Sequence, residues 1–330
     1  MSVERLLIIR YSALGDVVLA TSVLEPLRRR FPAAQIEWVT SAGAAPLLEG
    51  LPGIAAVHRL GDGAGEGPRA LARRLRGRFD LAIDLQEKVK SRYLALVAAP
   101  RRLLYRRRSP GQALLALLGR DKPLQRAHAT VLYAEVLRSL GVEGPGRLQI
   151  YIPAAARTRA GELLAGARRP LVGIAPGATW ATKRWAPERF AAVADAIHEA
   201  GHGLVLVAGP GDAAAVGAFR AALRAPLQAD LTPLPVDALA AALGQLKLLI
   251  ACDSGPVHLA AAQGVPALVL FGPTSTVRWS PPPPGRALSL GLACQPCSNH
   301  GGERCPLGHH DCLGRLEVES VLGAARELLV

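Results

Sequence analysis

Residues 6–9 read LLII, a run too short for a buried helix and too apolar for a surface strand. Such a run makes a strand buried on both faces, the mark of a parallel sheet covered by helices. Parallel strands need a crossover, and the sequence supplies one: after Arg10 comes YSALGD, then a helical period over residues 17–30. The period stops at Phe31-Pro32, because proline biases its predecessor away from the helical region. The pattern recurs, with strands expected at 35–39, 57–60, 79–85 and 102–105. Helices are expected at 46–50, from about 69 to 78, and at 88–98. GDGAGEGP at 61–68 is a turn or loop.

Residues 141–158, GVEGPGRLQIYIPAAART, lose the helical period and carry Gly and Pro, so the domain junction falls here. The pattern then restarts, with strands at 170–175, 204–208, 248–252 and 267–271. Helices are expected at 187–200, 213–224, 236–245 and 257–263. A chain of 330 residues has room for two cores. The expectation is α/β, with domains at 1–155 and 156–330 and a last helix free to pack back on the first. Two doubly wound halves place ligands outside the C-terminal ends of their strands, here in a cleft between the domains. No apolar run reaches 18 residues, and the apolar run near the N-terminus is short and followed by Arg10, a poor signal peptide. The expected location is cytoplasmic.

Charge divides the halves. Residues 1–160 hold 26 Lys and Arg against 13 Asp and Glu, whereas residues 161–330 hold 13 of each. Clusters lie at 28–30, 73–78, 88–92 and 101–108. A one-sided basic half points to an anionic partner: nucleic acid, an anionic membrane surface or a phosphorylated substrate. Arginines on solvated faces are the plainer account of any one cluster.

Three stretches can carry chemistry. In YSALGDVV, Gly15 permits close backbone approach and Asp16 opens a helix, where it is equally a cap. No GxGxxG or GxxxxGK[ST] accompanies it, which counts against a standard dinucleotide site and a P-loop. In IAPGATWATKRW a Pro-Gly loop presents Thr179, Thr182, Lys183 and Arg184 at the end of a strand, as a phosphate-facing loop would. In LLIACDSGPVHLAAAQ a buried strand runs into Asp253, Ser254 and Gly255, with His258 in the first turn of the next helix. The N–H groups there and Ser254 suit a diphosphate. A plain N-cap and a satisfied polar histidine are the other account.

Taken in order, SALGDVVLATSVLEPLRRRFP, DLQEKVKS, PGATWATKRWAPERFAAVA and CDSGPVHLAAAQGVPALVLFGPT resemble the ADP-heptose:lipopolysaccharide heptosyltransferases, glycosyltransferase family 9, nearest its heptosyltransferase II-like members. The resemblance implies a GT-B fold: two Rossmann-like domains facing across a cleft, with the acceptor on the first and the nucleotide-sugar on the second. It implies an inverting transfer with no catalytic metal and no cofactor, using an ADP-sugar as donor. Asp16 then matches the general base, which takes the acceptor hydroxyl's proton as that oxygen attacks the anomeric carbon. Lys183 matches the phosphate-contacting lysine, with Thr179 and Thr182 in the same loop. Asp253, Ser254, Gly255 and His258 match the motif beside the diphosphate and sugar, with Asp253 orienting the loop or a sugar hydroxyl. Asp212 is placed for ribose hydroxyls and Leu234 for adenine. The acceptor would be an anionic lipid-linked saccharide at the cytoplasmic face of the inner membrane. It would meet Ser12, Gly15, Gln86, Lys90, Ser91, Arg92, Arg106, Arg107 and His128, with Lys88 and Arg108 beside them. Contact with the membrane would be peripheral and the protein a monomer.

Cys294, Cys297, Cys305 and Cys312 fall in CQPCSNHGGERCPLGHHDC. Four thiolates suit a structural zinc, and a redox-labile loop suits the same spacing. Neither is a catalytic role. Cys252 ends a buried strand and reads as core. Two other functions remain open on the sequence: a related transferase with another sugar nucleotide or acceptor, and a basic nucleic-acid-binding protein. Aromatic residues are only 4% of the chain, few for base stacking, which weighs against the second.

Overall fold

A computed structural model describes residues 3–61, 66–106 and 127–330. The chain divides into two compact units, one ending at Pro153 and the other running from Ala154 to Val330. The helix Ala154–Leu163 opens the second unit, so helical structure resumes inside the stretch where the sequence period is lost.

The first unit is built on a five-stranded sheet in the order β3-β2-β1-β4-β5. Its strands are β1 (Arg5–Ile9), β2 (Gln35–Ser41), β3 (Ala56–Leu60), β4 (Leu81–Asp84) and β5 (Arg101–Leu104), all parallel. Leu6, Leu7, Ile8 and Ile9 are wholly buried at the centre, as the LLII run requires. Each such side chain contributes about 1.5–3 kcal/mol by leaving water. The first crossover starts earlier than its periodicity suggests. It runs as a helix Leu14–Ala20, a tighter turn Thr21–Val23 and a helix Leu24–Arg30. The basic helix is shorter than expected, Pro68–Leu75, and is followed by Gly77 in a left-handed turn.

The second sheet has six parallel strands in the order β11-β10-β9-β6-β7-β8. They are β6 (Leu171–Ala175), β7 (Gly203–Leu206), β8 (Leu227–Asp230), β9 (Leu248–Cys252), β10 (Ala267–Leu270) and β11 (Arg286–Leu288). Counted from β6, this is the strand order of a dinucleotide-binding doubly wound sheet. The two edge strands are absent from the sequence expectation. LQAD and RAL are short and partly exposed, because an edge strand is hydrogen-bonded on one side only and needs no continuous apolar run. The last helix, Val318–Leu329, places Val321, Ala324 and Ala325 in the core of this second unit.

Each sheet reverses its winding once, between β1 and β4 in the first and between β6 and β9 in the second. Side chains just beyond the C-terminal ends of these four strands lie where doubly wound sheets hold ligands. The sequence places its candidate residues there: Asp16 after β1, Gln86 after β4, Lys183 after β6 and Asp253 after β9.

Candidate active-site residues

In the first unit Asp16 stands in the opening turn of the helix Leu14–Ala20. Each carboxylate oxygen has its own partner. Oδ2 receives Arg10 Nη2 at 2.8 Å, and Oδ1 accepts the Tyr133 hydroxyl at 2.9 Å. The Ala13 N–H reaches Oδ2 at 3.4 Å. The Asp16 side chain keeps 16% of its surface exposed, so solutes can reach it. Arg10 is buried, and its Nη1 donates to the Leu85 carbonyl at 2.5 Å. Burial opposes its charge, but Tyr133 and Asp16 beside it hold its pKa above the usual range. Burial drives the Tyr133 phenol well above its ordinary pKa, with Asp16 pushing the same way and Arg10 opposing. The phenol therefore stays protonated and can only donate to the carboxylate.

The loop after β4 is set by Asp84, which is fully buried. One oxygen accepts the Gln86 N–H at 2.9 Å and the Glu87 N–H at 3.3 Å. The other accepts the Ser91 hydroxyl at 3.1 Å and lies 3.4 Å from Arg92 Nε. Gln86 then joins the two loops. Its side-chain carbonyl accepts the N–H groups of Tyr11 and Ser12 at 3.0 and 3.1 Å, and its amide donates to Ser12 Oγ at 3.0 Å.

Of the residues expected to meet an acceptor, Gln86, Ser12 and Gly15 therefore gather beside Asp16, and Lys90 and Arg106 are exposed. Ser91 is fully buried beneath the loop as a fastener, and its hydroxyl also accepts the Lys88 N–H. Arg92 is half-buried, with Nη2 donating to the Tyr105 carbonyl. His128 caps the helix Ala129–Glu135, where Nδ1 meets Thr130 Oγ1 at 2.8 Å. Arg107 and Arg108 lie outside the described residues.

In the second unit Lys183 Nζ sits 2.7 Å from Asp253 Oδ2, joining the loops after β6 and β9. The Thr274 hydroxyl donates to the same oxygen at 2.7 Å, so Asp253 orients the lysine. Ser254 caps the seven-residue helix Gly255–Ala261 through its backbone, while its hydroxyl turns back to the Cys252 carbonyl at 3.1 Å. His258 is buried in that helix. Asp212 accepts the Gly209 N–H at 2.8 Å and lies over Gly177, where a Cβ would fall 2.1 Å from its Cγ. Only glycine at 177 leaves the aspartate that position. Thr179 is exposed and Leu234 half-buried.

The cysteine-rich segment packs on the Lys183 loop. Thr182 N–H donates to the Gly302 carbonyl at 3.0 Å, and Thr182 Oγ1 accepts the Gly302 N–H at 2.9 Å. The Thr182 carbonyl lies 2.8 Å from His310 Nε2. Gly301, in the left-handed region, lies so close to Lys183 that a Cβ would meet its Cγ and Cδ at 2.9 Å. Thr182 is thus a structural tie and not an open donor contact. Cys294, Cys297, Cys305 and Cys312 are all free thiols. Among the described residues no group of three or more Cys, His, Asp or Glu side chains is placed to hold a metal ion.

Arg10, Asp84, Tyr133 and Thr274 are neighbours of the candidate residues that sequence reasoning missed. Arg10 and Asp84 had a signal, since each is a charge at the end of a buried strand. Tyr133 and Thr274 had none, being joined to Asp16 and Asp253 only by the fold.

Residues 68–308 match glycosyltransferase family 9 (heptosyltransferase). A lipooligosaccharide heptosyltransferase 2 of Haemophilus ducreyi is 29% identical, the match covering 87% of this chain and 88% of that one. A glycosyltransferase family 9 crystal structure from Veillonella parvula superposes with a TM-score of 0.82 at 26% identity, covering 99% and 97% of the two chains. The ADP-heptose heptosyltransferase II of E. coli gives 0.75 at 24% identity and 98% of each chain, a likeness of fold. Two Rossmann-like units in this order are the GT-B class.

Proposed function

We propose a reaction from one premise: the chain belongs to glycosyltransferase family 9, the heptosyltransferase family. It is a glycosyltransferase, and it transfers heptose in the assembly of the lipopolysaccharide core. The donor in this reading is ADP-heptose, bound by the second unit, and the first unit takes an anionic, lipid-linked saccharide.

Asp16 is the general base. The observation that carries this reading is its carboxylate, which follows β1, stays open to solutes and is paired with a buried arginine. The acceptor hydroxyl gives its proton to Asp16 as its oxygen bonds to the anomeric carbon, and the bond from that carbon to the diphosphate breaks. The leaving diphosphate gains negative charge, which a cation and hydrogen-bond donors stabilise. Lys183 supplies the cation, turning from Asp253 toward the phosphates. Asp212 stands ready for ribose hydroxyls and Leu234 for the base.

The basic first half supports an anionic acceptor, since Lys88, Lys90, Arg102 and Arg106 are exposed together on residues 88–106. Each such charge is worth about 1 kcal/mol at an anionic leaflet. Among the described residues no helix is long and apolar enough to cross a membrane. Membrane contact in this reading is peripheral, through these exposed cations. A structural zinc is not carried into it.

Calorimetry with ADP, UDP, GDP and ADP-heptose on the wild type and on Lys183→Ala tests the donor. Selective ADP binding, weakened in Lys183→Ala by about ten- to a hundredfold, is the expected result, the scale of a charge-assisted contact. Binding of UDP or GDP in its place discards the ADP-heptose assignment. No nucleotide binding discards the donor site.

A further inference from the structure

We infer that Tyr133 is a positioning residue for glycosyl transfer: its hydroxyl fixes the orientation of the Asp16 carboxylate toward the acceptor hydroxyl. The inference rests on Asp16 being the base. Nothing in the sequence near residue 133 suggests it, and the contact spans 117 positions of the chain.

The argument begins with what a carboxylate needs to act as an oriented base. It can rotate about its last bond, and a proton transfer works only from a narrow range of those rotations. A single partner holds one oxygen and leaves the group free to swing. Here the two oxygens are held separately, Oδ2 by Arg10 at 2.8 Å and Oδ1 by Tyr133 at 2.9 Å, so the plane of the carboxylate is fixed.

Tyr133 is well built for this. Its side chain is 1% exposed, and its helix, Ala129–Glu135, packs on the turn Thr21–Val23 and on the helix that carries Asp16. Its ring meets Tyr105 edge-on at 5.3 Å, and the Arg10 guanidinium lies 5.5 Å from its centroid. The hydroxyl has therefore little freedom of its own. Among the described residues, Arg10, Tyr133 and Tyr105 are titratable groups that these elements bring to Asp16 or to its partners. Removing the phenol keeps the arginine's charge and loses only the second anchor.

The test compares wild type, Tyr133→Phe and Asp16→Asn in steady-state transfer across pH, with donor binding measured alongside. Tyr133→Phe is expected to lower kcat about ten- to a hundredfold, the cost of a misplaced catalytic group. The KM for the sugar nucleotide should stay where it is. The acid limb of the kcat profile should move to higher pH, because a hydrogen bond to the ionised carboxylate has been lost. A merely structural tyrosine would lower stability without moving that limb. Replacing Tyr133 by 3-fluorotyrosine keeps the packing and strengthens the donor, so the limb should move the other way. If Asp16→Asn is inactive while neither change at 133 moves kcat or the limb, the positioning role is overturned. If Asp16→Asn stays active, the base assignment falls and this inference falls with it.

Discussion

The loops after β1 and β6 occupy the same place in their two sheets, each beside the strand where winding reverses, and they hold opposite charges. In the first unit the accessible group is the Asp16 carboxylate, 16% exposed, and its buried partner is Arg10 at 9%. In the second the accessible group is the Lys183 ammonium, 14% exposed, and its buried partner is Asp253 at 9%. Each partner is itself tied down, Arg10 to the Leu85 carbonyl and Asp253 to the Thr274 hydroxyl. Both pairs keep a charge in place at the mouth of a low-dielectric interior without leaving it uncompensated. The difference lies in which sign faces out. A carboxylate can take a proton, whereas an ammonium can meet phosphates. The fold supplies two equivalent positions, and the residue at each decides its chemistry.

Two substitutions separate these roles. Asp16→Asn should cut kcat by about a thousandfold, within the range of general base catalysis, and leave ADP binding intact in calorimetry. A variant that loses nucleotide binding in step with rate would tie Asp16 to the donor and blur the contrast. Gly177→Ala comes next. Its new Cβ would fall 2.1 Å from Asp212 Cγ, so the carboxylate must move. Overpacking of this kind costs about 1–3 kcal/mol, to be read from thermal or denaturant unfolding. ADP should bind more weakly while the second unit stays folded. Unchanged ADP binding would remove Asp212 from the ribose site.

The sequence showed the sheets better than it showed the sites' partners. Runs such as LLII and LLIAC are legible because a strand buried on both faces has few other ways to be written. LQAD and RAL were illegible because edge strands carry no such constraint. Asp16, Lys183 and Asp253 were legible because motif residues at strand ends have a fixed place in this fold. The ties between them were not. Tyr133 to Asp16 and Thr274 to Asp253 are contacts of the folded chain, and nothing local marks a tyrosine as the holder of a carboxylate 117 residues away. Thr182 shows the reverse error. Its loop suggested a hydroxyl for phosphate, but Gly302 and the fold turn it inward.

The smallest effect concerns the cysteines, which differ between the core and the loop on the Lys183 side. Cys252 is fully buried at the end of β9, and burial pushes its thiol up to about 12. Cys312 is also buried and raised, to about 11. Cys305 goes the other way. Burial weighs slightly against its thiolate, but the N–H groups of His310, Leu307, Gly308 and His309 turn toward the sulfur and lower its pKa overall. Alkylation follows the thiolate, so Cys305 should react first with iodoacetamide at neutral pH and Cys252 last, as mass spectrometry of timed samples would record. Because the segment 294–312 is joined to Thr182 by the Gly302 and His310 contacts, saturating ADP should slow the Cys305 reaction if Lys183 and its loop become more rigid on binding. A rate indifferent to ADP would mean that the loop ties the segment down without coupling it to the donor. The comparison of the two sheet positions would then stop at Lys183 and Asp253.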